Sequence, residues 1–541
     1  MQTPETVIFA DTIHSLDGEK QYTAIGITAG VVTHLGSRSE ATEWSGPDTK
    51  VIDHGTATIT PGLVDAHIHP IFGQSVARGV FLGDAKDLDD ARRIFARHAE
   101  SQPADAPVLG YGLNVAVFGE AEPHGGLLDE AAPGRASYVT CFDAHSALAS
   151  QPMLAAAGIT GTETFDDASS IVVDSEGRPT GFIREFSAMA LVEEALPPLT
   201  IEDKVDGLER LLRGMAASGL TGGEMLDLAD PDSLEILRRL EERTELPIKL
   251  RVAPWIMASD APEQLRHLIE LQGQHGRRWQ VRGVKLMIDG TVDNGTAWLY
   301  EPDTEGESTE SLYLEPQRYV DNLRTLAAAG ITTTTHAIGD AGIRHVVESI
   351  GSAPDSRRRH RVEHIETAPD ETLAGFVRHQ IAASMQPTHC TLFCSASGED
   401  NWSRRLGDVR VSRAWRLRSL VDAGVPVALG SDWPIAPYPP LPIMADAQLR
   451  RQAGHLDQEP ILAHEAIDAR AALAGYTSVR ADSWGDQERG RLVVGAVADL
   501  SLFSADLLTT APDDLLDVRV LGTVVDGVLR TPLSRRPPQS R

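Results

Sequence analysis

The chain has 541 residues, 42% of them hydrophobic, which is enough for one large core and a small second domain. Its formal net charge of -29 argues against nonspecific binding to nucleic acid or to an anionic membrane, since both need a basic patch. Three cysteines, Cys141, Cys390 and Cys394, are too few for a disulfide framework and read as ordinary buried thiols.

No apolar run approaches the roughly 20 residues of a membrane span. The opening stretch MQTPETVIFADT lacks a basic segment followed by an apolar one, so a cytoplasmic location is expected. From Thr6 to Ile59, short apolar and polar runs alternate, broken by Asp17-Gly18 and Gly36, which is strand and hairpin chemistry. The far end repeats this style in GRLVVGAVADLSLF and VRVLGTVVDGVLR, with Asp526-Gly527 as a turn. Neither end holds enough strands for a stable sheet alone, so residues 1–59 and 489–541 are expected to form one composite small β-domain, a sandwich.

The stretch TPGLVDAHIHP, from Thr60 to Pro70, opens the long middle region with an apolar strand. Side chains two apart on a strand share a face, so His67 and His69 project side by side from its carboxyl end, as two ligands of one metal ion would. From residue 60 to 488, helix-like stretches ending in glycine alternate with short apolar strands. YVDNLRTLAAAG leads to ITTTTHAIGD, and AWRLRSLVDAG leads to VPVALGSDWP. Such βα units, in this number, predict an α/β fold built on a (β/α)8 TIM-like barrel, whose active site lies at the carboxyl ends of the strands. Residues from about 80 to 198 are too long for one crossover and read as an insertion covering that face.

Following the strand ends collects His67, His69, Lys285 in VRGVKLMIDG, His336 in TTTTHAIGD, His364 in RHRVEHIE, and Asp432 in VALGSDWP. Each alone fits a core histidine or a turn carboxylate; together they fit a metal centre. Lys285 stands out because the 49 basic residues divide into 43 arginines and 6 lysines, and this one lies within an apolar strand, where a permanent charge is costly. Parity places Lys285 and Met287 opposite Val284 and Leu286, and Asp432 on the face of Gly430.

The order HxH, Lys, His, His, Asp along a barrel flanked by a two-ended β-domain resembles the amidohydrolase superfamily of metal-dependent hydrolases. VKLMIDGTVDNGTA, THAIGDAG, SMQPTH, DAHSAL, GRPTGFIRE and GAVADL are similar to its YtcJ-like branch, which includes N-substituted formamide deformylases. The resemblance implies two divalent metals per chain, zinc first and manganese, iron, cobalt or nickel as alternatives. It implies His67, His69 and Asp432 on one metal, His336 and His364 on the other, and Lys285 carboxylated by carbon dioxide to a bridging carbamate. A buried lysine can lose its proton and react in this way, whereas arginine cannot. Asp432 and Lys285 are then the catalytic residues, with Asp432 taking the proton of a metal-bridging hydroxide and passing it to the leaving amine. His145, Glu185, Asp289, His389 and Trp433 are implied as substrate contacts, and Phe72, Met287 and Trp298 are further candidate walls.

The activity expected is hydrolysis of a non-peptide C–N bond, in an N-substituted formamide or related amide, with a small-molecule substrate as the partner; a homodimer is allowed. A deaminase or a urea or carbamate hydrolase on the same scaffold is the alternative within enzymes. An inactive barrel used for binding is the alternative outside them.

Overall fold

A computed structural model describes residues 3–119, 121–227, 232–354, 360–486 and 488–530. Residues 531–541, assigned from the sequence to the small β-domain, lie outside the described residues. Among those described, no helix is long and apolar enough to cross a membrane.

Two runs of parallel strands form the centre of an α/β fold. In the first, Leu63–Ile68 pairs with Leu220–Met225, then Lys249–Val252, then Trp279–Val281. In the second, Val284–Met287 is followed across the sheet by Thr333–Ala337, Arg361–His364, Ala382–Met385 and Val427–Leu429. Single parallel bridges join the runs at both margins, Trp255 to Lys285 and Ile68 to Trp433. At the second margin the Asp432 N–H donates to His67 O at 2.8 Å, and the His69 N–H donates to Trp433 O at 2.9 Å. Those bonds draw the HxH strand and the Asp432 turn to one place. Gly430 permits the approach, because a Cβ there would lie 2.7 Å from His67 N.

The intervening helices follow from sequence locally. Ile201–Ala217 starts at a capping box in which Thr200 and Asp203 satisfy each other's backbone N–H groups. It buries Val205, Leu208, Leu212 and Met215, one stripe at helical spacing, against the strands.

Strands from both chain ends make an eight-stranded sheet. Thr58–Pro61 runs antiparallel to Leu500–Phe503, and Thr6–His14 joins it to the amino-terminal hairpins. In hydrogen bonding this is one continuous sheet, not the two sheets of the expected sandwich. Alternation still buries both faces: Ile8, Ile25 and Leu502 enter the main core of the sheet, while Val7 and Ala24 pack on Ala41 of the helix Arg38–Trp44.

Residues 80–184 contain a six-stranded sheet of their own, in the order Ser170–Val173, Pro179–Arg184, Ser146–Ala149, Ser137–Cys141, Val108–Leu113, Val80–Phe81. Apolar clusters lie on both its faces, around Phe95 and Phe182 on one and around Met153 and Met189 on the other.

Candidate active site

At the carboxyl ends of the parallel strands, His67, His69, Lys285, His336, His364, His389 and Asp432 line one cavity. The carboxylate of Asp432 is its hub. Oδ1 lies 2.9 Å from His69 Nε2 and 3.2 Å from His67 Nε2, while Oδ2 lies 3.7 Å from His389 Nε2 and 4.0 Å from His364 Nδ1. Donor atoms therefore converge in two groups sharing Asp432: His67 with His69, and His364 with His389. The ring of His336 lies 4.4 Å from that of His364, and its Nε2 is 3.1 Å from the carbonyl of Gly290. Lys285 Nζ sits 3.4 Å from His67 Nε2.

The electrostatics suit cation ligands. Burial and the neighbouring basic groups hold His67, His336 and His364 well below the usual imidazole range, so each is neutral and keeps a lone pair. Burial pulls Lys285 down to about 8, although Glu363 and Asp432 oppose it. Burial alone would raise Asp432, but His67 and His69 outweigh it and hold the carboxyl far below its usual value.

Strand parity explains part of this geometry. Lys285 and Met287 both face the cavity, whereas Val284 and Leu286 enter the core. Parity does not explain His364 and Asp432, which adopt left-handed backbone with φ 69° and 59°. For Asp432 the sharing of a face with Gly430 carries no weight, because the strand ends at Leu429 and a turn aims the side chain.

The inserted sheet supplies the opposite wall. The turn after Ser137–Cys141 presents Phe142, Asp143 and His145 to the cavity. Glu185 stands behind His145, with Oε2 2.8 Å from its Nδ1. Burial would lower His145, but Glu185 more than offsets this and raises its pKa. Asp143 in turn accepts from Thr291 Oγ1 at 2.7 Å and from Asn294.

Four expected contacts fall outside the cavity lining, and one of them, Glu185, reaches it only through His145. Asp289 lies outside the cavity lining, where its carboxylate accepts the backbone N–H groups of Trp298, Ile338 and Gly339 at 2.8–3.0 Å. It shapes the loop after Val284–Met287 from beneath. Trp433 packs over Gly73, and Trp298 lies beside His345, so neither lines the cavity, whereas Phe72 and Met287 do.

Sequence reasoning missed the residue that aims His67. Glu363 Oε2 is 2.8 Å from His67 Nδ1, which leaves Nε2 facing the cavity. Arg361 Nε donates to Glu363 at 2.6 Å and its Nη1 to Glu224 at 2.7 Å, all three fully buried. Such a chain is costly to break, because removing one member leaves a buried charge without its partner. The sequence carries one trace of it, since Arg361 and Glu363, two apart in RHRVEHIE, share one face of the strand Arg361–His364. Also missed were Glu366 and Asp293 in the lining, pushed up by burial to about 8 and about 7, and the aromatic walls Trp255, Phe186, Phe393, Trp402 and Trp415. Cys390 and Cys394 are buried and form no disulfide, and Cys394 lines the cavity.

The chain resembles known proteins over nearly its whole length. Over 516 residues it is 26% identical to the Bacillus subtilis (strain 168) protein that carries the provisional name amidohydrolase YtcJ, covering 93% of this chain and 95% of that one. It is 25% identical over 535 residues to the N-substituted formamide deformylase of Arthrobacter pascens, covering 94% of each. Its fold matches that of a metal-dependent hydrolase from Pyrococcus horikoshii OT3 with a TM-score of 0.71 at 22% identity, over 94% of this chain and 99% of the other. The model of the amidohydrolase family matches residues 50–530, nearly the whole length, and the chain belongs to that family.

Proposed function

We propose that the protein hydrolyses a non-peptide C–N bond in a small molecule, an N-substituted formamide or a related amide. The observation that carries this reading is the Asp432 carboxylate, set between two pairs of imidazoles, His67 with His69 and His364 with His389, at the floor of a buried cavity. The nine parallel strands, bridged at both margins, are read as one closed (β/α)8 barrel over residues 60–488, with Trp279–Val281 and Val284–Met287, separated only by Arg282 and Gly283, counted as one barrel strand. The composite β-domain of residues 1–59 and 489–541 and the insertion at about 80–198 complete the architecture.

The donors fit a metal ion. His364 Nδ1 and His389 Nε2 are buried without a hydrogen-bond partner among the described residues, a costly state unless a cation satisfies them. His67, His69 and Asp432 would hold one ion. His336 and His364 would hold a second, with His389 a further donor beside His364 and a carboxylated Lys285 joining the two. Nitrogen and oxygen donors favour zinc and also accept manganese, iron, cobalt or nickel. Bound there, the metal polarises a carbonyl and acidifies water at neutral pH.

The chain's own groups account for the remaining chemistry. Asp432, ionised at any working pH, accepts the proton of the attacking water and returns it to the departing nitrogen. His145, oriented through Nδ1 by Glu185, offers its Nε2 to the carbonyl oxygen as negative charge develops there. Phe72, Phe186, Trp255 and Phe393 make the cavity wall apolar, which favours an uncharged, apolar substituent on nitrogen. A screen of formamides, amides, ureas and carbamates on metal-loaded protein tests the proposal. The expected result is release of a primary amine with formate or another carboxylate. Ammonia from an aminated substrate as the main product would favour a deaminase, and no turnover of any class would favour a binding role.

A further inference from the structure

At the amino-terminal ends of the same strands, facing away from the active site, lies a second cavity of about 530 Å³ between the parallel strands and the eight-stranded sheet. Eight arginine or lysine side chains line it, against four carboxylates. An excess of positive charge gathered in one hollow is unexpected in a chain whose net charge is -29.

Several of these cations are satisfied by protein. Lys249 pairs with Asp499 at 2.8 Å and with Asp526 at 2.5 Å. Arg278 reaches Asp526 at 3.2 Å, and Arg480 reaches Glu224 at 2.6 Å. Others have no carboxylate within ion-pair distance among the described residues. Arg251 is held by a stack 3.3 Å over the ring of Trp484 and by its Nε, which donates to the carbonyl of Arg282 at 3.2 Å. Burial disfavours its charge, Glu224 opposes this, and the adjacent guanidinium groups of Arg282 and Arg480 add to the burden. Arg282 and Arg277 are exposed at the rim, and Arg277 spends its Nη2 on the backbone carbonyl of Glu241. Neighbouring guanidinium groups disfavour one another's charge, an anion between them relieves this, and their planar forks match phosphate and carboxylate oxygens in pairs.

We propose that this cavity is a binding site for a small organic polyanion, carrying its charge on phosphate or carboxylate groups and held principally by Arg251 and Arg282. It is separate from the active site, and a ligand there would enter from the seam between the two structural units.

Isothermal titration of the full-length, metal-loaded protein tests this, with inorganic phosphate, a sugar bisphosphate and trimesate as probes and acetate at equal ionic strength as control. Trimesate is a rigid tricarboxylate whose arms cannot close on one metal ion, so it does not strip the catalytic centre. The expected result is saturable binding of at least one polyanion, and which probe binds identifies phosphate or carboxylate as the preferred group. The double variant Arg251→Gln, Arg282→Gln should weaken that binding roughly tenfold or more. Should this variant fold poorly, Arg282→Gln with Arg277→Gln, both at exposed positions, should weaken it in the same direction. Heats no larger than acetate for every probe would overturn the proposal. So would binding of equal strength in folded variants, since the anion would then sit elsewhere.

Discussion

The Asp432 carboxylate touches both His67 and His69 and lies within 4.0 Å of His364 and His389, so it meets four of the groups that would hold the cation. Asp432→Asn keeps the shape and removes the base. With proton transfer as its task, the variant should lose about 100-fold or more in kcat with little change in KM. Steady-state kinetics on an active amide substrate check this, and a defect confined to KM would reassign Asp432 to substrate binding. Lys285 makes the second case at this scale. As ammonium it would repel divalent cations at the distance of His67, and its pKa of about 8 leaves the amine available for carboxylation. Lys285→Ala should therefore lose metal and activity, and added short carboxylic acids should restore a fraction of both. Lys285→Arg should resist rescue because its fixed charge fills the space. Carbon-13 NMR after bicarbonate labelling reads the carbamate directly, and an unmodified lysine in active, metal-loaded protein would remove the bridging role.

At the scale of elements, two-residue spacing made part of the site legible, His67 with His69 and Lys285 with Met287, while Arg361 and Glu363 share the same spacing and went unread. It failed where the chain leaves a strand through left-handed backbone, at His364 and Asp432, and where the inserted sheet brings residues from far away. His145 and Glu185 meet because Ser146–Ala149 pairs with Pro179–Arg184, a register no local pattern announces. Asp289 read as a substrate contact, yet its carboxylate is spent on three backbone N–H groups. Helix Pro440–Leu449 offers a stability test away from the chemistry. Its Asp446 accepts the Ala453 N–H at 2.9 Å and the Thr391 hydroxyl at 2.5 Å, and burial raises its pKa from 3.8 to about 6. A carboxyl raised on folding binds its proton more tightly in the native state. The stability this confers is present below the unfolded pKa near 3.8 and is lost as pH rises through about 6. The loss is of order 3 kcal/mol at most. Asp446→Asn keeps the site neutral, so its Tm relative to the wild type should rise across that window. Parallel Tm curves for the two proteins would contradict it.

Over the whole molecule, apolar periodicity and glycine-terminated helices made the alternating parallel architecture readable, and the strand-rich ends pointed to a sheet shared between them. The insertion was recognisable by length alone, because its strands are short and their partners distant in sequence. The basic cavity was invisible beforehand, since Lys249, Arg251, Arg282 and Arg480 come from separate segments and the acidic total masks them. The account as a whole depends on a metal held at the carboxyl ends of the strands. The most direct test is to remove metal with a chelator and follow amide hydrolysis while zinc is titrated back. The expected result is an inactive apoprotein that stays folded, with activity rising to a plateau at about two ions per chain. Full activity in protein shown to be free of metal would contradict it.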